Sequence, residues 1–183
     1  GHPDCVKSYP YDPEKAKRLL AEAGYPHGFR IDFYAFGHES AAEAIAKDLK
    51  AVGIRTNLKW MGGRWDALYK KLINGKVPLA FINWGSYSIF DASAILNRFF
   101  LSSDPLCYGS TPEIDRMLRK ASHHSPPQQR EELLARAQKT IAEKAFWAPL
   151  YYGYAICAMN KELNFRPSSD GIDRLFTAFW EDR

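Results

Sequence analysis

Cysteine is scarce in this 183-residue chain: there are three, Cys5, Cys107 and Cys157, and no two have C-x-x-C spacing. That excludes a disulfide-dense scaffold and gives no zinc site, so no metal is expected. One pair can close in an oxidising compartment, and spacing does not choose which. Long apolar runs are missing too. The longest, such as Phe146 to Tyr152 and Leu79 to Ile82, fall far short of the ~20 residues a membrane-spanning helix requires. The opening Gly1-His2-Pro3-Asp4 has neither a basic start nor an apolar stretch, so any export signal is expected to have been removed or never included. Glycine (12) and proline (11) fall as punctuation, which excludes collagen-like and low-complexity classes. No block of like charge occurs, and a net charge of +4 is too mild to point to nucleic acid or an anionic membrane.

Catalytic signatures are absent as well. There is no G-x-S-x-G turn, no H-E-x-x-H and no phosphate loop ending in Gly-Lys-Ser/Thr, and Gly62-Gly63 lacks the length and the following lysine of such a loop. Neither an enzyme nor a resident cofactor is expected. His123-His124 falls in the last turn of a helix, where a polar or positive side chain suits the dipole. What the chain does have is apolar material, 46% of residues with 14% aromatic, ample to offset the entropy of ordering a backbone. The length suits one ordinary domain or one lobe of something larger.

Periodicity then resolves the first half into an α/β pattern. Asp12, Pro13 and Glu14 open a helix whose face is Ala16, Leu19, Leu20 and Ala23, with Gly24 as the stop. Phe29 to Tyr34 alternates as a strand. Glu39 to Val52 reads as a helix with Ile45, Leu49 and Val52 on its apolar face, and Ile54 to Trp60 as a second strand. Trp65, Leu68, Tyr69 and Leu72 share a helical face, and Val77 to Trp84 reads as a third strand, apolar enough to be covered on both sides. Strands alternating with helices imply parallel pairing through right-handed crossovers, hence an α/β fold with a mostly parallel sheet flanked by helices.

The second half is less regular. A short helix is expected at Ala92 to Phe99. Thr111 caps the next, with Ile114, Met117, Leu118 and Ala121 buried. Ser125 is expected to cap another, with Leu134, Ala137 and Ile141 on one side. A β-rich stretch is expected from Trp147 to Met159.

Ligands of open parallel sheets bind outside the carboxyl ends of the strands. Phe36, Gly37 and His38 follow the first strand, and Trp84, Ser86, Tyr87 and Ser88 end or follow the third. Phe36 and Trp84 read equally as ligand walls or as caps of the core, since large aromatics dominate cores anyway. Polar Ser86, Tyr87 and Ser88 beside an apolar wall suit a small-molecule site.

The segment from Tyr11 to Pro26, with Asp12-Pro13-Glu14-Lys15-Ala16 and Glu22-Ala23-Gly24-Tyr25-Pro26, resembles one typical of family 5 bacterial extracellular solute-binding proteins. The resemblance continues through Val52-Gly53-Ile54, the Trp65-to-Gly75 helix, Trp84, Asp91, Leu96, Lys144-Ala145 and Ala148-Pro149-Leu150-Tyr151. It implies a lobe like that of a type II periplasmic binding protein, in a periplasmic or cell-surface receptor that hands a peptide-like or neutral small solute to a membrane ABC permease. By the same resemblance, residues 1–159 correspond to the C-terminal ligand-binding lobe. Residues 160–183 correspond to a tail that returns to an N-terminal lobe not contained in this chain.

Two departures bear on the ligand. Peptide-binding members hold the ammonium with an Asp soon after the strand-end Trp and can hold the carboxylate with an Arg after the first strand. Here those stretches read Gly85-Ser86-Tyr87-Ser88 and Tyr34-Ala35-Phe36-Gly37. A buried ligand charge without a partner is costly, so the resemblance implies a neutral or sugar-like solute at least as readily as a zwitterionic dipeptide. The alternative is a stand-alone interaction module, such as a mildly basic nucleic-acid-binding domain given the pI near 8.9. Interleaving of Lys and Arg with acids along the helices speaks against nucleic acid. The tail keeps Leu163, Phe165, Leu175, Phe176, Phe179 and Trp180, and is expected to find an apolar surface on this lobe or on a second copy.

Overall fold

Asp12 opens the first helix by accepting the Lys15 N–H on its Oδ1 at 2.8 Å, and Pro13 needs no such partner. This is seen in a computed structural model that describes residues 9–85, 89–123, 125–151, 153, 156–168, 170 and 172–180. The chain divides after Asn83 into two compact units.

The first unit runs α1 (Pro13–Glu22), β1 (Phe29–Ala35), α2 (Glu39–Ala51), β2 (Ile54–Trp60), α3 (Trp65–Leu72) and β3 (Leu79–Phe81). The strands form a parallel sheet in the order β2-β1-β3, as the alternation of helix and strand requires. Phe29 lies opposite Ile54 and Ala35 opposite Trp60, while Ala35 also faces Phe81. Phe33, Ala35, Ala42 and Phe81 form a buried cluster, with Ile45, Leu58 and Leu79 packed around it. Leu68 and Leu72 bury the inner face of α3, and Val77 and Met61 are buried beside the strands.

Two expectations for this unit are corrected. The third strand covers Leu79–Phe81 and not Val77 to Trp84. Among the described residues it is an edge strand, Pro78 has no N–H to donate, and Ala80 and Asn83 are exposed, so the apolar run is not covered on both faces. Helix α1 has the predicted periodicity but buries none of its residues, and Leu19 is 52% exposed. Its caps and the half-buried Pro13, Ala16 and Leu20 tie it down, with an exposed Lys17–Glu14 pair at 2.9 Å on the outer side.

The second unit contains α4 (Ser93–Phe100), α5 (Pro112–Ser122) and α6 (Pro127–Glu143). Thr111 caps α5 through its Oγ1, which accepts the Ile114 N–H at 3.2 Å, and Ile114, Met117, Leu118 and Ala121 are all buried. Leu133, Leu134, Ala137 and Ile141 bury the facing side of α6. Ser125 does not cap α6. Pro126 holds the cap position without a side-chain bond, and the Ser125 hydroxyl turns back to donate to the Lys120 carbonyl at 2.7 Å, serving the end of α5.

The described residues between Trp147 and Met159 contain no strand, against the expectation. Trp147 packs instead on Phe99 and Phe100, at ring-centre distances of 4.6 and 5.2 Å. Beyond it, β4 (Leu163–Asn164) pairs antiparallel with β5 (Phe179–Trp180). Asp170, buried, accepts two hydrogen bonds from Arg174 at 2.7 and 3.2 Å. Leu175, Phe176, Phe179 and Trp180 remain more than half exposed.

Candidate functional site

Parallel strands point their carboxyl ends the same way, so the residues after β1, β2 and β3 share one rim of the first unit. Backbone bonds knit that rim together. The Phe36 N–H donates to the Phe81 carbonyl at 2.9 Å, and the Met61 N–H to the Ala35 carbonyl at 2.8 Å. Gly37 has φ +117°, a conformation L side chains rarely adopt, and its carbonyl accepts the indole Nε1–H of Trp60 at 3.3 Å. Met61 to Arg64 is a tight turn around Gly62 and Gly63, closed by the Arg64 N–H on the Met61 carbonyl at 3.1 Å.

Phe36 and His38 both stand on this rim. Phe36 is half-buried and meets Trp65 edge-on at 5.3 Å, so it is partly a cap on α3. His38 occupies the cap position of α2 without making a side-chain cap bond, and is exposed. Trp84 belongs to the second unit, half-buried, with its ring edge-on to Phe99 at 4.9 Å. Ser86, Tyr87 and Ser88 lie outside the described residues. Sequence reading missed Trp60, which alternation marks only as a strand residue. Its signal was the glycine before α2 and the glycine pair after β2.

In the second unit the chain just before α4 is pinned by charge. Asp91 accepts two bonds from Arg130 at 2.7 Å each, as well as the Ser93 N–H at 2.9 Å. The Arg130 hydrogen bonds hold the Asp91 carboxyl well below the usual carboxylate range, against the opposing effect of burial. Burial pushes Asp115 up, but hydrogen bonds from the Ser102 hydroxyl and N–H, with Arg119 nearby, bring it below its ordinary value. Burial raises the Cys107 thiol.

Each unit carries an open groove. One, about 450 Å³, is lined by Ile89, Ser93, Asn97, Arg98 and Asp104. The other, about 340 Å³, lies at the edge of the sheet opposite the rim, between Tyr25, His27, Gly28, Lys50 and Gly53. Among the described residues no three His, Cys, Asp or Glu side chains gather as metal ligands, and no helix is long and apolar enough to cross a membrane.

The α/β architecture is that of a lobe of a type II periplasmic binding protein. It superposes on the ABC transporter-associated periplasmic binding protein DppA from Helicobacter pylori, solved with the peptide STSA, with a TM-score of 0.85 at 26% identity, over 98% of this chain and 36% of that one. The chain belongs to the bacterial extracellular solute-binding proteins, family 5, whose middle-region profile matches residues 1–105. Among curated relatives, heme-binding protein A of Haemophilus influenzae is 28% identical over 94% of this chain and 34% of its own length. Glutathione-binding protein GsiB of Escherichia coli K12 is 29% identical over 86% of this chain and 33% of its own. The chain thus spans about a third of the length of the curated relatives it matches.

Proposed function

We propose that the chain is part of the solute-binding component of an ABC importer, capturing a peptide-like or other small solute and delivering it to a membrane permease. The observation that carries this reading is a rim of exposed and half-buried aromatic and polar groups at the carboxyl ends of a parallel sheet, in a chain whose family consists of extracellular solute receptors. Relatives named for glutathione and solved with STSA favour a peptide-like solute. In this reading residues 1–159 are the ligand-binding lobe, and 160–183 lead back towards another lobe of an exported receptor, periplasmic or cell-surface. The work done is binding and lobe closure, with no chemical step.

Each unit contributes its own contacts: Phe36 and His38 from the first, Trp84 with Ser86, Tyr87 and Ser88 from the second. The test is native mass spectrometry of the complete gene product that contains this chain, followed by thermal-shift titration of the solute it carries. A bound solute is expected, with Trp84→Ala weakening its binding about tenfold while the melting temperature holds. A receptor that carries nothing, and that neither peptides, glutathione nor heme stabilise, would overturn the reading.

A further inference from the structure

Trp60 is held in an unusual way for a side chain 45% exposed to water. Period-two alternation places it on the same face of β2 as Leu58, which packs on the core, but it stands at the strand end, where the core stops. Its one polar group is committed to Gly37, and a Cβ built on Gly62 would lie 3.6–3.8 Å from the indole carbons. Both glycines have positive φ, +117° and +57°. Two backbone conformations that L side chains rarely adopt therefore fix a ring that remains partly in solvent, where packing demands no fixed ring. Such pre-ordering reduces the entropy lost when a ligand settles on an aromatic surface.

The next turn supplies a charge. Arg64 donates both its backbone N–H and its Nε–H to the Met61 carbonyl, at 3.1 and 3.2 Å. That fixes the near side of the guanidinium and leaves its two terminal nitrogens without a partner among the described residues. A guanidinium held this way presents parallel donors suited to a carboxylate.

We propose that Trp60 and Arg64 form a recognition pair on the sheet rim. Arg64 binds a carboxylate of the solute, and Trp60 stacks on a planar or apolar group beside it. This rests on the solute-receptor reading and narrows it to solutes in which the two groups adjoin, as in a peptide ending in an aromatic residue.

The experiment is calorimetry on the complete gene product with three probes: STSA, the same peptide ending in Phe, and the C-terminal amide of the Phe peptide. The Phe peptide should bind at least threefold more tightly than STSA, and the amide about tenfold more weakly than the acid. Trp60→Ala should erase the Phe advantage and keep the acid preference; Arg64→Gln should do the reverse. Trp60→Phe, which keeps a ring, should restore part of the Phe advantage if Trp60→Ala proves poorly folded. If the wild type binds the probes and neither variant changes the pattern, the pair is refuted and the receptor reading stands. If the wild type binds none of them while carrying another solute, the peptide-terminus assignment falls. If it carries no solute at all, the receptor reading falls with it.

Discussion

Replacing Gly28 by alanine tests the packing that sets the sheet register. Gly28 and Gly53 precede Phe29 and Ile54, the first paired residues of β1 and β2, so their backbones lie side by side. A Cβ on Gly28 would sit 1.9 Å from the Gly53 carbonyl oxygen and 2.4 Å from its carbon, where ordinary contact begins near 3.4 Å. Strands spaced by ~4.8 Å cannot part that far without breaking the end of the ladder. The φ of +67° adds its own penalty, ~1–2 kcal/mol for an L residue, and losing a terminal ladder bond adds ~1 kcal/mol. The sum is ~2–3 kcal/mol, which lowers the melting temperature by ~4–12 °C in a chain of this size. Gly75 is the control: its φ is +64°, but nothing lies within 4 Å of its Cβ position, so Gly75→Ala carries only the conformational part. Urea unfolding followed by tryptophan fluorescence should place Gly28→Ala at least 1 kcal/mol below Gly75→Ala. Equal midpoints for the two variants would refute the steric argument.

Arg130→Ala should destabilise the second unit by about 1 kcal/mol at neutral pH, a figure discounted because both partners are about one-third exposed. A carboxylate depressed in the folded state contributes stability that is present above its unfolded pKa of ~3.9 and is lost as pH falls through the folded value. The deficit of Arg130→Ala should therefore be full above about pH 5 and vanish in strong acid; a deficit independent of pH would show that Asp91 ionisation is not its source. In a Cys5→Ser background, the exposed Cys157 should react with a thiol reagent at pH 8 well before Cys107, whose thiol burial raises. Equal rates by absorbance would contradict the described burial.

Legibility followed where the physics is local. The ends of α1 and α5 were readable because Asp12 and Thr111 make their capping bonds within three residues of themselves. β1 and β2 were readable because alternation and the glycines before them are local too. The extent of β3 was not, because being an edge strand depends on which strands lie beside it, and Pro78 counts only once pairing is known. Ser125 reads as the cap of α6, and only the folded turn shows its hydroxyl on the Lys120 carbonyl instead. At the rim, Phe36 and His38 could be named from their place after a strand. Trp60 carried only the signal of its flanking glycines, because its hold on Gly37 joins residues brought together by the β1–β2 register.

The strand order also bears on how the first unit is assembled. β1 is made first yet occupies the centre; β2 reaches it through α2, and β3 only after α2, β2 and α3. Neither pairing is local: Phe29 pairs with Ile54, 25 residues on, and Phe33 with Leu79, 46 residues on, so the β1–β2 ladder closes the shorter loop and is the less costly to form first. Growth outward from β1 begins with a seven-residue ladder against β2, and β3 is appended as a three-residue edge. What joins last and most briefly should also open first. Native-state exchange should find the β3 amides released in small openings that leave the β1–β2 ladder closed, so the rim beside Asn83 can loosen without the unit unfolding.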